Sequence, residues 1–377
     1  MIKGNGDPAC TTAVDASVRS RNDTSPDLDV KDEGKGTANV AESVADTEKQ
    51  FIDLSDSKPP DGGLRAWSIV LGSFFANFAT FGYVNSWGYW QFLLCQGFFI
   101  GISCGVVFGP SMGMISHWFK RRRGIALGIS AVGSSVGGTI FPIAASRLID
   151  EVGFKWCMRI LGFMQLFALI IVNLCMARRG PPSKVPRKVF DLKAFKNLAY
   201  TFWCLSGMVV FLGLYTVLTY IDVSAVFAGL SPNFTFYLIS IANVASCFGR
   251  ILGGLVADRK GPINALLFPT LMAGGLTYAW PFARTTGEFI VIAIFYGVAS
   301  GVYVTLFNAP FMEMGNPHDV GTRIGMGATI IAVGAISGPP ISGAINAATG
   351  GYKAVGYYAG SMIMFSYYLL GQWKGRA

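Results

Sequence analysis

Apolar residues run long in this chain, and polar residues come in short breaks between the runs. From Ala66 to Phe119 there is no Asp, Glu, Lys or Arg, a stretch of 54 residues. A membrane span needs about 20 apolar residues, and somewhat more when tilted. This stretch therefore predicts two spans, 67–88 and 91–118, with a turn near Gly88–Gln91. Four cations, Lys120 to Arg123, close it. Further runs predict spans over 123–147, 156–177, 199–221, 233–257, 262–283, 288–311, 323–347 and 353–372. The pattern is that of an all-α polytopic membrane protein with about ten transmembrane helices, built as helical bundles. Four spans form an N-terminal bundle, 61–177, and six a C-terminal bundle, 199–377, with a basic cytosolic linker at 178–198. Residues 1–60 are polar and acidic, with Phe51 their only aromatic, and predict a disordered tail. No apolar core follows a basic N-terminus, so no cleavable signal peptide is expected.

Composition agrees with the pattern. Only 14% of residues are charged, against about a quarter in soluble proteins, and mean hydropathy is +0.47. The seven cysteines have no CxxC spacing, which favours packing roles over disulfides or metal ligands. The net charge of +9 hides a split: residues 1–60 carry 7 cations and 12 anions, so the membrane region is strongly basic. Its cations sit in alternate loops, at 120–123, 178–197, 259–260 and 323. Such a bias sets topology rather than nucleic-acid binding. It places both termini in the cytosol, with the plasma membrane as the default location.

Several stretches carry candidate chemistry. In Trp118–Gly138 the four cations lead into Gly124, Gly128, Gly133 and Gly137. Glycines four apart leave a flat strip on a helix, where another backbone can approach. In 249–262, GRILGGLVADRKGP, Gly254, Asp258, Arg259 and Gly261 stand at the cytosolic end of a span. There a carboxylate and a guanidinium can latch a neighbouring helix end, and Gly261-Pro262 can make the turn. Arg323 opens a span that contains Gly338-Pro339-Pro340-Ile341, where the double proline predicts a bent or unwound helix. Arg250 is a strong cation well inside a span. It reads either as an anchor for an anionic solute group or as a cation that snorkels toward the cytosol. Asn85, Asn243 and Asn308 read either as cavity polar groups or as interhelical hydrogen-bonding groups. Gly101-Ile-Ser103-Cys104-Gly105 fits GxSxG, but it lies in an apolar span without a strand, and the only histidines are His117 and His318. No GxxxxGK[ST] occurs, so ATP-driven pumping is not expected. No metal, cofactor or enzymatic activity is expected.

These blocks resemble the major facilitator superfamily, and within it the fungal monocarboxylate-transporter-like branch. DGGLRAW at 61–67 looks like that branch's motif before its first span. The 118–138 stretch resembles its fifth span, GGLVADRKGP the superfamily's Asp-Arg loop between spans eight and nine, and GTRIGM with GPPISG the eleventh span. The resemblance implies alternating access of two six-span bundles. YWQFLLCQG, 89–97, resembles the start of the fourth span yet follows the first directly, so spans two and three look absent. In animal proton-linked carriers the first span carries a Lys, and the eighth an Asp with an Arg. The matching positions here hold Asn85, Ser246 and Arg250. The resemblance thus implies a secondary transporter of a small organic solute: a carboxylate, a vitamin or an exported secondary metabolite. Its partners are that solute, the lipid bilayer and, where proton coupling applies, a proton. The alternatives are a membrane sensor or regulatory protein, and a non-transporting, truncated product of a transporter gene.

Overall fold

The computed structural model describes residues 63–83, 101–176, 191–314 and 319–374. The 1–60 tail, most of the 178–198 linker, Asn85 and the 88–91 turn lie outside the described residues. The helices are α1, Leu64–Tyr83, α2, Gly101–Trp118, α3, Arg123–Cys175, α4, Leu198–Phe227, and α5, Pro232–Lys260. They continue with α6, Pro262–Ala279, α7, Thr286–Leu306, α8, Ala309–Glu313, α9, Val320–Thr349, and α10, Tyr352–Lys374. Five described stretches are long and apolar enough to cross a membrane on length and composition alone. The architecture is an all-α polytopic membrane fold. Large apolar side chains such as Phe163, Leu174, Phe268 and Ile336 are exposed, as lipid-facing positions must be.

Local chemistry sets the helix ends. Spans 123–147 and 156–177 merge into α3 with one interruption, at Gly153 (φ 73°, ψ 166°). That backbone region is open only to glycine. Gly261 (φ 85°) makes the expected turn, with Pro262 opening α6. Asn197 caps α4 through Ala199 N–H, and Thr285 with Glu288 forms a capping box on α7.

The 288–311 span is one apolar stretch, Thr286–Glu313, within which α7 stops at Leu306 and α8 restarts at Ala309. One expectation is corrected in part: of the bent or unwound forms expected at the double proline, the unwound one is not seen, because α9 stays helical through Pro339 and Pro340. Prolines remove backbone donors from the helix ladder. Here α4 packs alongside, and the Tyr220 hydroxyl donates to the Pro339 carbonyl at 2.9 Å.

Glycine and small polar residues bring the helices together. Gly334 and Gly338 of α9 lie against the backbone carbonyls of Met208 and Leu212 in α4. Gly249 of α5 meets Val298 of α7, and Gly297 meets Ala242 in return. Buried hydroxyl pairs add polar contacts from α4 to α9 and α10, Thr216–Ser342 at 2.8 Å and Ser206–Ser366 at 2.8 Å. Toward the N-terminal end, α1 packs chiefly against α3.

Candidate functional site: a polar seam between α3 and α5

Among the described residues, helices α1–α3 meet α4–α10 chiefly through α3 against α5. The helices run antiparallel. Stepping back along α5 through 258, 250, 246 and 243 meets α3 going forward through 124, 131, 135 and 138. Asp258 Oδ1 accepts from Gly124 N–H at 2.5 Å, and Oδ2 from Ile125 N–H at 3.0 Å. Arg250 Nη1 donates to the Ala131 carbonyl at 3.0 Å. The Ser246 and Ser135 hydroxyls share a hydrogen bond at 2.5 Å. Asn243 Nδ2 donates to the Gly138 carbonyl at 3.2 Å.

The glycines make this approach possible. A Cβ on Gly124 would strike the Gly254 carbonyl and lie 2.7 Å from Asp258 Oδ1. A Cβ on Gly128 would lie 2.6 Å from the Arg250 carbonyl oxygen. The expected strip is thus covered, but it divides between two faces. Five residues turn a helix by about 140°, so Gly133 faces α1, where a Cβ would fall on the Phe74 carbonyl. Gly137 is buried with it. The α5 face is Gly124, Gly128, Ala131, Ser135 and Gly138. These small residues alternate spacings of four and three, the 3.5-residue repeat of a helix–helix seam.

Asp258 acts as an N-cap for another helix. The first N–H groups of α3 have no intrahelical acceptor, and Arg122 at its N-cap position supplies no side-chain bond. A carboxylate there gains charge-assisted hydrogen bonds and the favourable end of the helix dipole. Arg250 is 8% exposed, and about 12 Å of helix rise separates it from Asp258. Its Nε is buried with no hydrogen-bond partner among the described residues. Tyr215 of α4 and Cys247 lie within its electrostatic reach.

The other sequence-predicted residues fall elsewhere. Arg259 is exposed at the end of α5. Arg323 is buried against α8 and α4, where its Nε donates to the Phe311 carbonyl at 3.4 Å and its own carbonyl accepts from Tyr200. Asn308 is 2% exposed, in the break between α7 and α8, and its Oδ1 has no partner among the described residues. α5 and α7 run parallel, with Gly253 beside Val302. With Ser246 beside Gly301 as well, Asn308 lies between the levels of Gly253 and Arg259, roughly one to two and a half turns from Arg250. The structure therefore joins Asn243 and Arg250 in one seam and leaves Asn308 at its end. Ser135 and Ala131 were missed in the sequence, although the 3.5-residue repeat of small residues was there to read.

A family model described as Major Facilitator Superfamily matches residues 63–313. The chain is 33% identical to "MFS-type transporter 1" of Ophiocordyceps sp. (strain BCC 1869), over 82% of this chain and 85% of that protein. It is 29% identical to the aspyridones efflux protein apdF of Emericella nidulans, over 82% and 78%. The Ophiocordyceps alignment is 382 positions long although it draws on only 82% of 377 residues, so about 70 positions of that relative have no counterpart here. Among solved structures, the E. coli fucose:proton symporter FucP superposes with a TM-score of 0.57 at 14% identity, over 82% of this chain and 84% of that one. The human organic anion transporter MFSD10 (TETRAN) does so with a TM-score of 0.57 at 14% identity, over 89% and 91%. At that identity the likeness concerns the fold.

Proposed function

The chain belongs to the major facilitator superfamily, and from that membership we propose that it moves a small organic anion across a membrane by alternating access. The observation that carries the anion is Arg250, a buried cation between α3 and α5 whose Nε has no partner among the described residues. Burying a charge is costly unless it is paired, and a solute carboxylate is the natural counter-charge. Asn243 shares the seam, and the reading assigns Asn85 to the same pathway and Asn308 to its cytosolic end. Relatives named as efflux proteins, for aspyridones and for agnestins, support outward transport of a secondary metabolite. The test is flux of a carboxylate and of its neutral amide in cells expressing the chain, with only the former moved through Arg250.

Asp258 is the proposed latch. The α3 start is held by its carboxylate, with Gly254 giving close approach, Gly261 the turn, and Arg259 and Arg323 the flanking charges. Asp258→Ala should weaken the closed seam by about 1–2 kcal/mol, roughly 5- to 30-fold in its closed-to-open ratio. Amide exchange at Gly124 and Ile125 should rise accordingly, and Asp258→Asn should fall between. The reading also puts the latch and both termini in the cytosol and the protein in the plasma membrane, which epitope accessibility in intact cells checks. With Ser246 paired to Ser135 where monocarboxylate-type carriers hold an Asp, the reading assigns no proton to that position.

A second reading, a truncated transporter product, is favoured by the roughly 70 unmatched positions of the Ophiocordyceps relative. That length is enough for two spans. Sequencing the transcript decides it: additional codons between Gly88 and Tyr89 would support this reading, and an uninterrupted join would remove it.

A further inference from the structure

We propose that the helix ends opposite Asp258 hold a phosphate group at the membrane surface, in a crevice where Arg284 and Lys353 stand over an aromatic floor.

α5 runs from Pro232 to Lys260 and α6 returns from Pro262, so the far end of α6 lies away from Asp258. There α4 stops at Phe227, α6 passes into a single 3-10 turn, Trp280–Phe282, and α9 stops at Thr349. α7 and α10 start at the same level, at Thr286 and Tyr352. Together these ends enclose a cavity of about 460 Å³, within the range of small-molecule sites, about 300–1,000 Å³.

The floor of the cavity is fixed. Trp280 is fully buried, and its Nε1 donates to Ser224 Oγ at 2.9 Å. Its ring lies 5.4 Å from that of Tyr352, which lies 5.9 Å from that of Phe227. Gly350 turns the chain from α9 into α10 in the left-handed region (φ 67°), which brings Lys353 to the rim. The stretch after the 3-10 turn brings Arg284 there. Both cations are exposed, and no Asp or Glu is among the residues that line the cavity. Glu288 follows Arg284 closely in the chain, but its Oε2 accepts from the Arg284 and Thr285 N–H groups at 2.6 and 3.1 Å.

The rim shows what the phosphate is attached to. Phe227, Phe282 and Tyr357 are half or more exposed. The Phe282 and Tyr357 rings lie 6.5 Å apart, and Lys353 Nζ stands 5.7 Å from the centroid of the Phe282 ring. Aromatic side chains sit at the headgroup level of a bilayer, and long cationic side chains reach the same layer. A phosphate with an apolar tail satisfies both features. Its oxygens accept charge-assisted hydrogen bonds from the guanidinium and the ammonium, and its tail lies along the rings. A free phosphate satisfies only the cations. The bound group also ties the ends of α4, α6, α7, α9 and α10 together, so it stabilises the folded chain.

The experiment is native mass spectrometry of the full chain in maltoside detergent, titrated with dioleoyl phosphatidate, dioleoylglycerol or inorganic phosphate. One phosphatidate should bind more tightly than any that follow, and dioleoylglycerol should not compete with it. Arg284→Ala and Lys353→Ala should each weaken that first phosphatidate about fivefold, and together about 30-fold. Arg284→Lys keeps the charge and should restore the affinity to within about twofold. Lys193→Ala with Lys196→Ala removes two exposed cations from the 192–196 turn and should change nothing. Displacement of the lipid by equimolar inorganic phosphate would support the site and assign it to the free ion. Equal binding of dioleoylglycerol would overturn the proposal. So would a first phosphatidate that the Arg284/Lys353 double variant leaves in place, or that the Lys193/Lys196 variant weakens as much.

Discussion

Arg250→Ala is expected to lower transport of an anionic solute by at least about 30-fold, while the folded yield stays within about twofold. The flux estimate follows from removing one partner of a buried, hydrogen-bonded charge pair, which costs about 2–5 kcal/mol, and about 2 kcal/mol is already that factor. The mild effect on yield has a separate origin. Without its anion, Arg250 stabilises the fold poorly, because among the described residues its desolvation is offset by a bond to the Ala131 carbonyl while its Nε has no partner. Alanine removes that penalty along with the bond. Flux of the neutral amide, compared in the same membranes, should respond far less. A variant that transports the acid at the wild-type rate would remove Arg250 from the solute path.

Gly133→Leu is expected to be the most damaging packing change. A Cβ there falls on the Phe74 carbonyl and lies 2.7 Å from its carbon. Phe74 belongs to α1, which packs along α3. Because the obstacle is backbone, no rotamer change relieves it, and the helices must separate. Overpacking in a core costs about 1–3 kcal/mol, and a backbone clash belongs at or above the top of that range. The monodisperse fraction recovered in detergent should collapse. Gly162→Ala, later in α3 with nothing within 4 Å of its Cβ among the described residues, should match the wild type in the same assay.

The contrast between those glycines shows what the sequence could reveal. Apolar runs broken by cations gave the order of the helices, because lipid requires every backbone group to be satisfied within the segment. Gly261-Pro262 gave its turn, because few other pairs suit that backbone. The two glycine pairs, 124/128 and 133/137, looked like one strip, yet the helical turn between them sends the first toward α5 and the second toward α1. Separating them needed the 3.5-residue repeat through Ala131, Ser135 and Gly138, in which alanine and serine count as small residues beside glycine. Arg250 stood out because charge inside a span is costly. Its partner did not, because a backbone carbonyl leaves no mark in the sequence. For the same reason Pro339 could not announce Tyr220, which supplies a hydrogen bond from a helix more than a hundred residues earlier. The break at Asn308 between α7 and α8 left no mark, because it lies within an apolar run without a charge.

The central claim is that this chain carries an organic anion through a seam organised by Arg250. Purified chain in proteoliposomes loaded with labelled benzoate tests it directly, with external unlabelled benzoate, external benzamide and the Arg250→Ala variant as comparisons. The account predicts release of label that external benzoate accelerates, that benzamide leaves unchanged, and that falls to the protein-free rate in the variant. Retention of label by wild-type vesicles, with benzoate still bound to the protein, would contradict it and leave a chain that binds an anion without carrying it.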